Sequence, residues 1–343
     1  MGIFGGEPDF IGVDIGSTSV RLVQLRKSMG KYALVAFGSA QLPPNIAQSD
    51  SKLDMQALAQ VVKKLVKTSR ISTKSVVAAL SGSSIFTTVV KLPPMEKNEI
   101  VKAIKYQAEQ NIPLKAEDVQ YDWQIVRENP TTRETAIMIV AAPKVKTNRT
   151  IELFELADMD VAYLETSAIA VARSLVAPSE PLVMVVDLGA TSTELTIVEN
   201  GIVSHVRSVP AAGYALTRVI AQNLGLDSAQ SEQFKRKFGL SQDKLEGQVF
   251  RTMQPILTTV TDEIQRSVKY YQEQYGSSVT KIILTGGTAR MPELASFLKR
   301  ILNLEVVYGN PWAKVSYAAD IADKLSQNAA EFAVAVGLAM REN

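Results

Sequence analysis

The chain uses one short motif twice. Val13–Leu25 reads VDIGSTSVRLVQL and Val186–Val198 reads VDLGATSTELTIV; aligned without a gap, they share valine, aspartate, glycine, threonine, serine and one leucine. Apolar residues precede each copy (Phe10-Ile11 and Leu182–Val185), as suits a buried strand, and period-two alternation follows each. The pattern predicts strand, tight turn, strand. The second copy runs on into Glu199-Asn200-Gly201, and Asn-Gly is the favoured two-residue hairpin turn. A matched pair half a chain apart predicts a duplicated α/β architecture.

The strand after the glycine separates this motif from the commoner phosphate binders. A P-loop or dinucleotide fingerprint leads from glycines into a helix, whose N-terminus holds the anion. Here a phosphate would be held by turn amides and hydroxyls. Gly16 and Gly189 allow close backbone approach, and Ser17, Thr18, Thr191 and Ser192 add donors. Asp14 and Asp187, ending the two strands, suit magnesium held through water or the orientation of an attacking water. A third glycine site follows the apolar run Lys281–Leu284: TGGTARMPEL, then a helical pattern with Leu294, Phe297, Leu298 and Ile301 on one face and Pro292 expected in its first turn.

Composition removes other chemistries. The 343 residues contain no cysteine, which excludes disulfides, thiolate zinc sites and cysteine nucleophiles, and the single histidine argues against His-based metal sites and a Ser-His-Asp triad. His205, in the strand-like run Ile202–Val209, is expected to be structural. Lys and Arg number 37 against 35 Asp and Glu, a balance that gives no global basic surface for nucleic acid. No apolar stretch reaches transmembrane length, and MGIFGGEPDF lacks a signal pattern. Two domains in the cytoplasm are the expectation.

Together the motifs DxGxxS, DLGxTxxEL and TGGTxRMPEL resemble the phosphate-1, phosphate-2 and adenosine motifs of the actin, sugar kinase and heat-shock chaperone superfamily. Leu164–Ala172 (LETSAIAVA) and Ala329–Met340 (AAEFAVAVGLAM) resemble its two connecting helices, the second with small residues for a close helix crossing. Within it, Ser75–Val126 is similar to the type IV pilus assembly (PilM) family, a relative of the cell-division protein FtsA. A strand runs into Leu-Pro-Pro, a helix carries Ile100, Ile104 and Ala108 on one face and stops at Pro113, and strands Val119–Val126 and Thr135–Ala142 join through Glu128-Asn129-Pro130. The resemblance implies a duplicated actin-like (ribonuclease-H-like) ATPase fold, two domains around a nucleotide cleft. Domain I is expected over 9–180 plus helix 329–343, with an inserted αβ (SHS2-type) subdomain near 75–160. Domain II is expected over 181–328, with a helical subdomain near 213–278.

Carried over residue by residue, the family pattern assigns ATP or ADP with Mg2+ to Asp14, Gly16, Ser17 and Thr18 in phosphate-1, and to Asp187, Gly189 and Thr191 in phosphate-2. Gly213 opens the second domain's helix; Gly286, Gly287 and Thr288 form the adenosine turn, and Arg290 is placed to stack on adenine, as a planar, weakly hydrated guanidinium can. Ser231–Gly239 (SEQFKRKFG) resembles the helix whose Glu and Lys contact ribose, giving Glu232 and Lys235. Asp14 and Asp187 are the implied magnesium positions, and Asp187 with Glu165 the implied catalytic ones. Ala190, Ser192 and Ala211-Ala212 stand where chaperones have glycine, and the chaperone's catalytic lysine has no counterpart, so hydrolysis is expected to be weak or absent.

The resemblance further implies a pilus-assembly scaffold at the inner face of the inner membrane, receiving the cytoplasmic N-terminal peptide of a PilN-like bitopic protein in a groove beside the inserted subdomain. Membrane association is then indirect; pilus motor ATPases and self-association are further partners to consider. The alternatives are an FtsA-like filament protein, disfavoured because the sequence stops at Arg341-Glu342-Asn343 without a basic membrane helix, and a small-molecule kinase, disfavoured for want of a polar acceptor cluster. Elsewhere Leu53, Ala57, Val61 and Leu65 are expected to form a core-facing stripe of helix Leu53–Val66. Ile256, Val260, Ile264, Val268 and Tyr271 form another on helix Pro255–Tyr275.

Overall fold

The computed structural model describes residues 10–129 and 131–342, the side chains of Lys97 and Asn98 excepted. The reading of the N-terminal MGIFGGEPD, Pro130 in its expected turn and the terminal Asn343 lie outside the described residues. The chain divides into two compact units: Met1–Ser81, Lys146–Leu175 and Asn310–Asn343 form one, Gly82–Val145 and Val176–Gly309 the other.

The first unit is built on a six-stranded sheet in the order Val315–Ser316, Lys31–Gln41, Ser19–Ser28, Ile11–Ile15, Ser75–Leu80, Asp160–Thr166. Residues 19–25 are all buried, because the alternate faces of their strand meet different layers. Val20 and Leu22 pack with Ile11, Val13 and the helix Lys52–Thr68. Val23 and Leu25 pack with Trp312, Phe332, Ala335 and Val336. Helix Lys52–Thr68 forms where expected, but its core stripe is Met55, Leu58, Ala59, Val62 and Leu65. Leu53 is 77% exposed. A strict four-residue step drifts off a 3.6-residue helix, and the expected stripe began on the wrong face. The two connecting segments also start later than expected. Leu164–Thr166 closes a strand, and the helix begins at Ser167; Ala329–Glu331 is a 3-10 turn before helix Ala333–Ala339. These helices cross with no room for a side chain: a Cβ on Gly337 would lie 1.8 Å from the Ala170 carbonyl oxygen.

The second unit has a five-stranded sheet in the order Ile202–Val209, Thr193–Glu199, Leu182–Leu188, Lys281–Thr285, Glu305–Tyr308. Met184, Val186, Leu188, Leu195 and Ile197 face a helical layer containing Leu216, Ile220, Val260, Ile264 and Phe297. The turn between strands Thr193–Glu199 and Ile202–Val209 has Asn200 and Gly201 at φ 51° and 79°, as the Asn-Gly pair predicts. The long helix spans Gln248–Tyr275 and carries Pro255 in its interior, earlier than a first-turn proline would place its start. Pro292, by contrast, precedes its helix, which runs Leu294–Leu302 with Ile301 45% exposed.

Segment 82–145 groups with this unit. Its strands Phe86–Leu92, Thr135–Pro143 and Val119–Glu128 form a three-stranded sheet in that order. Helix Lys97–Asn111 covers one face, with Ile100, Ile104 and Ala108 set against Val90, Ile137 and Ile139. Polar fasteners tie the segment to the rest of the unit: Gln124 Nε2 donates to the Val203 carbonyl at 3.3 Å, and Arg127 lies 3.6 Å from Glu199 and stacks on Tyr275. No described helix is long and apolar enough to cross a membrane.

Candidate functional site

Both Asp-Gly motifs fold into the same local structure. In the first unit the Gly16 amide donates to the Ser19 carbonyl at 3.0 Å; in the second the Gly189 amide donates to the Ser192 carbonyl at 3.1 Å. Each turn reverses an antiparallel pair, so that Asp14 stands opposite Arg21 and Asp187 opposite Glu194. In the first turn, the Thr18 carbonyl accepts from Leu42 at 2.8 Å and Ser17 Oγ accepts from Gln48 at 3.3 Å. Burial pushes the Asp14 carboxyl above its ordinary value, and Arg21, 3.7 Å away, opposes that rise.

Around the second turn the structure gathers most of the second-unit residues singled out from sequence. The Gly189 carbonyl accepts from the Gly213 amide at 3.1 Å and from Thr288 Oγ1 at 2.8 Å; the Ala190 carbonyl accepts from Tyr214 at 2.8 Å. The opening amides of helix Gly213–Leu224 therefore hold the turn in place. A Cβ on Gly213 would lie 2.5 Å from Thr288 Oγ1 and 3.2 Å from the Gly189 carbonyl oxygen. Gly286, at φ 89°, could not carry one either: it would sit 2.3 Å from Asp187 Oδ1 and 2.5 Å from the Leu188 carbonyl oxygen. Phosphate-2, helix start and adenosine turn thus form one cradle whose backbones meet because glycine stands at each contact. Arg290 and Gly287 are exposed beside it.

Glu232 and Lys235 belong to the same cluster. The buried Lys235 ammonium reaches the Gly213 carbonyl and Thr217 Oγ1, both at 3.0 Å, and Glu232 at 2.7 Å. Its three donors are thereby used, so Lys235 clamps helix Ser228–Phe238 to the start of helix Gly213–Leu224. Glu232 also accepts from Thr217 at 2.7 Å and from Arg236 at 2.7 Å. Burial alone would raise the Glu232 pKa, but Lys235, Thr217 and Arg236 outweigh it and bring the carboxyl to about 2. Lys235 is itself lowered, burial outweighing Glu232. The Glu232 shift is the one that bears on acid stability.

Glu165 belongs to the first unit. It is buried, and its oxygens accept from Arg173 at 2.5 and 2.7 Å and from Arg341 at 2.9 Å. A carboxylate so engaged would have to break ion pairs to act as a base or bind magnesium; in this structure it locks the connecting helices together. Among the described residues no three His, Cys, Asp or Glu side chains cluster as a ready metal site. His205 is held neutral, with its pKa at about 4, by burial and by Arg207.

Sequence reading missed Arg21. Its guanidinium lies against the first turn, 3.5 Å from where a Gly16 Cβ would be, and forms a tight ion pair with Glu331. The available signal was the repeat itself, since Arg21 and Glu194 occupy the same position in the two copies with opposite charge.

The repeated hairpins, mixed parallel and antiparallel sheets and glycine cradle define an actin-like fold in duplicate. Consistent with this class, MreB5 of Spiroplasma citri bound to ADP superposes with a TM-score of 0.54 at 13% identity, over 96% of this chain and 95% of that one. The chain belongs to the family of type IV pilus assembly protein PilM, whose model matches residues 12–343. A chain of the PilM-PilN type IV pilus biogenesis complex is 27% identical with a TM-score of 0.85, covering 97% of this chain and 98% of that one. Cell division protein FtsA of Neisseria meningitidis serogroup B is 24% identical over 154 residues, which span 38% of this chain and 36% of FtsA.

Proposed function

We propose that this pilus-assembly protein is a cytoplasmic scaffold at the inner face of the inner membrane that docks the N-terminal tail of a PilN-like bitopic protein. The supporting observation is the likeness, along nearly the whole of both chains, to a chain of a PilM-PilN complex. The inserted segment takes part in that likeness and carries the family's Leu-Pro-Pro and helix pattern. The test is a titration of this chain with a synthetic peptide of the tail of the bitopic protein encoded beside it. Saturable one-to-one binding is the expected result; no binding together with sedimenting filaments would move the reading to an FtsA-like one.

The second part of the proposal is a nucleotide, ATP or ADP with Mg2+. It is supported by the cradle of Gly189, Gly213, Gly286, Gly287 and Thr288, in which the glycines let the three motif backbones converge, with Arg290 beside it for the base and Glu232 for the ribose. Thr191 and Asp187 are assigned to phosphate and magnesium. The sequence repeat assigns Asp14, Gly16, Ser17 and Thr18 to the same ligand. Bound magnesium would neutralise phosphate charge. The methyls of Ala190, Ala211 and Ala212, and the engagement of Glu165 by two arginines, favour a nucleotide that acts as a ligand with little turnover. Asp14→Ala and Asp187→Ala are each expected to abolish Mg-ATP binding in calorimetry. Unchanged affinity in both would remove the site.

A further inference from the structure

Arg21 connects two parts of the first unit. It lies on the return strand opposite Asp14, with Nη1 3.7 Å from that carboxylate and against the Gly16 turn. Its other terminal nitrogen is held by Glu331, which closes the short turn before helix Ala333–Ala339. Arg21 Nε is buried without a hydrogen-bond partner. The guanidinium is therefore incompletely satisfied and sits beside a turn whose backbone suits phosphate. A polyphosphate is the stronger partner for such a fork, since it offers more charge and several acceptor oxygens.

We infer that Glu331 is a built-in competitor for the phosphates of the nucleotide. Without nucleotide, Glu331 holds Arg21; on binding, phosphate oxygens replace the Glu331 carboxylate at Arg21, and the tie between the return strand and the segment leading into helix Ala333–Ala339 is released. Glu331 thereby sets nucleotide affinity without touching the ligand, as a positioning residue acting through Arg21. The inference rests on the nucleotide reading above. By linkage, whatever loosens the Arg21–Glu331 tie tightens nucleotide, and nucleotide loosens the tie.

The test is a titration of the full chain with ATP, ADP and adenosine at fixed salt, for the wild type, Glu331→Gln, Glu331→Asp, Arg21→Gln and the double variant. Glu331→Gln should tighten ATP by roughly threefold to tenfold, the range for releasing a partly exposed charged partner, tighten ADP less and leave adenosine unchanged. Glu331→Asp, which keeps the charge, should stay near wild type. Arg21→Gln should weaken ATP, and in that background Glu331→Gln should have no effect. In the wild type, ATP should speed hydrogen exchange of the backbone amides of residues 332–336, a readout that needs no variant to fold. Unchanged or weaker ATP binding in Glu331→Gln, or exchange indifferent to ATP, overturns the competitor role while leaving nucleotide binding intact. If the wild type binds no ATP, both this inference and the reading beneath it fall.

Discussion

The two hairpins that carry the Asp-Gly turns differ where their sequences diverge, and the difference separates what the turn does from what surrounds it. Their closing hydrogen bonds match within 0.1 Å, at 3.0 Å for Gly16 to Ser19 and 3.1 Å for Gly189 to Ser192. The residue facing the aspartate is Arg21 in the first and Glu194 in the second. The first aspartate thus faces a cation that it shares with Glu331. The second faces another carboxylate on the same side of the sheet, with Glu194 resting against the Gly82 backbone. One backbone device, duplicated, has been given opposite charge environments.

The largest expected effect tests how tightly each turn is packed. Gly286→Ala drives a Cβ into Asp187 and the Leu188 carbonyl at positive φ and should cost about 3 kcal/mol or more. Gly16→Ala meets nothing closer than 3.3 Å and should cost less than about 1 kcal/mol. Chemical denaturation of both variants checks this; similar costs would mean that the Gly16 turn is as confined as the Gly286 turn that packs against Asp187 and Leu188.

The next experiment exploits the charge reversal. Arg21→Gln leaves the half-buried Asp14 without its countercharge and should destabilise by about 2 kcal/mol. Arg21→Lys, which keeps the charge but not the planar fork, should recover part of that loss, and urea melts of the two variants check it; equal costs would mean that geometry and not charge is what Arg21 supplies.

A smaller effect belongs to the second cradle alone. Glu232 is depressed to about 2 in the folded chain against an ordinary 4.5, so its contribution is present above about pH 4.5 and is lost as pH falls toward 2. With nearly a third of the side chain exposed, solvent screening reduces it to roughly 1 to 2 kcal/mol. Glu232→Gln should flatten the fall in stability over that window, as followed by urea melts between pH 5 and 2.5; an unchanged slope would remove the ion pair as its source.

The smallest concerns the far ends of the same hairpins. Asn200-Gly201 and Met29-Gly30 adopt the same left-handed pair of conformations, at φ 51° and 79° and at φ 49° and 74°. Asparagine tolerates this region and methionine does not. Met29→Asn should raise stability by about 0.5 to 1 kcal/mol, read as an upward shift in Tm. No shift would mean that the first hairpin's turn is relaxed by means other than its sequence.

Much of this molecule is legible in one sequence because the signals are local. The repeat, the Asn-Gly turn, the Ile100-Ile104-Ala108 stripe and the small residues around Gly337 each depend on neighbours within a few positions. Where reading failed, the deciding contact was distant or the local pattern was degenerate. The core face of helix Lys52–Thr68 was misjudged because apolar residues lie on more than one of its faces, and only the sheet beneath chose Met55 over Leu53. The partners of Glu165, Arg173 and Arg341, lie 8 and 176 residues away, and only the fold brings the second of them to it.

By itself the sequence determined the duplicated hairpins, the glycines of the cradle and the family to which the chain belongs, because turn geometry and strand period are short-range properties. Only the tertiary structure decided which charges meet. Arg21 takes a partner 310 residues away, Lys235 spends its donors on Gly213 and Thr217, and segment 82–145 is fastened to the second unit through Arg127 and Gln124. Such pairings follow from burial and strand register, since a charge removed from water must find whichever countercharge the fold brings within reach.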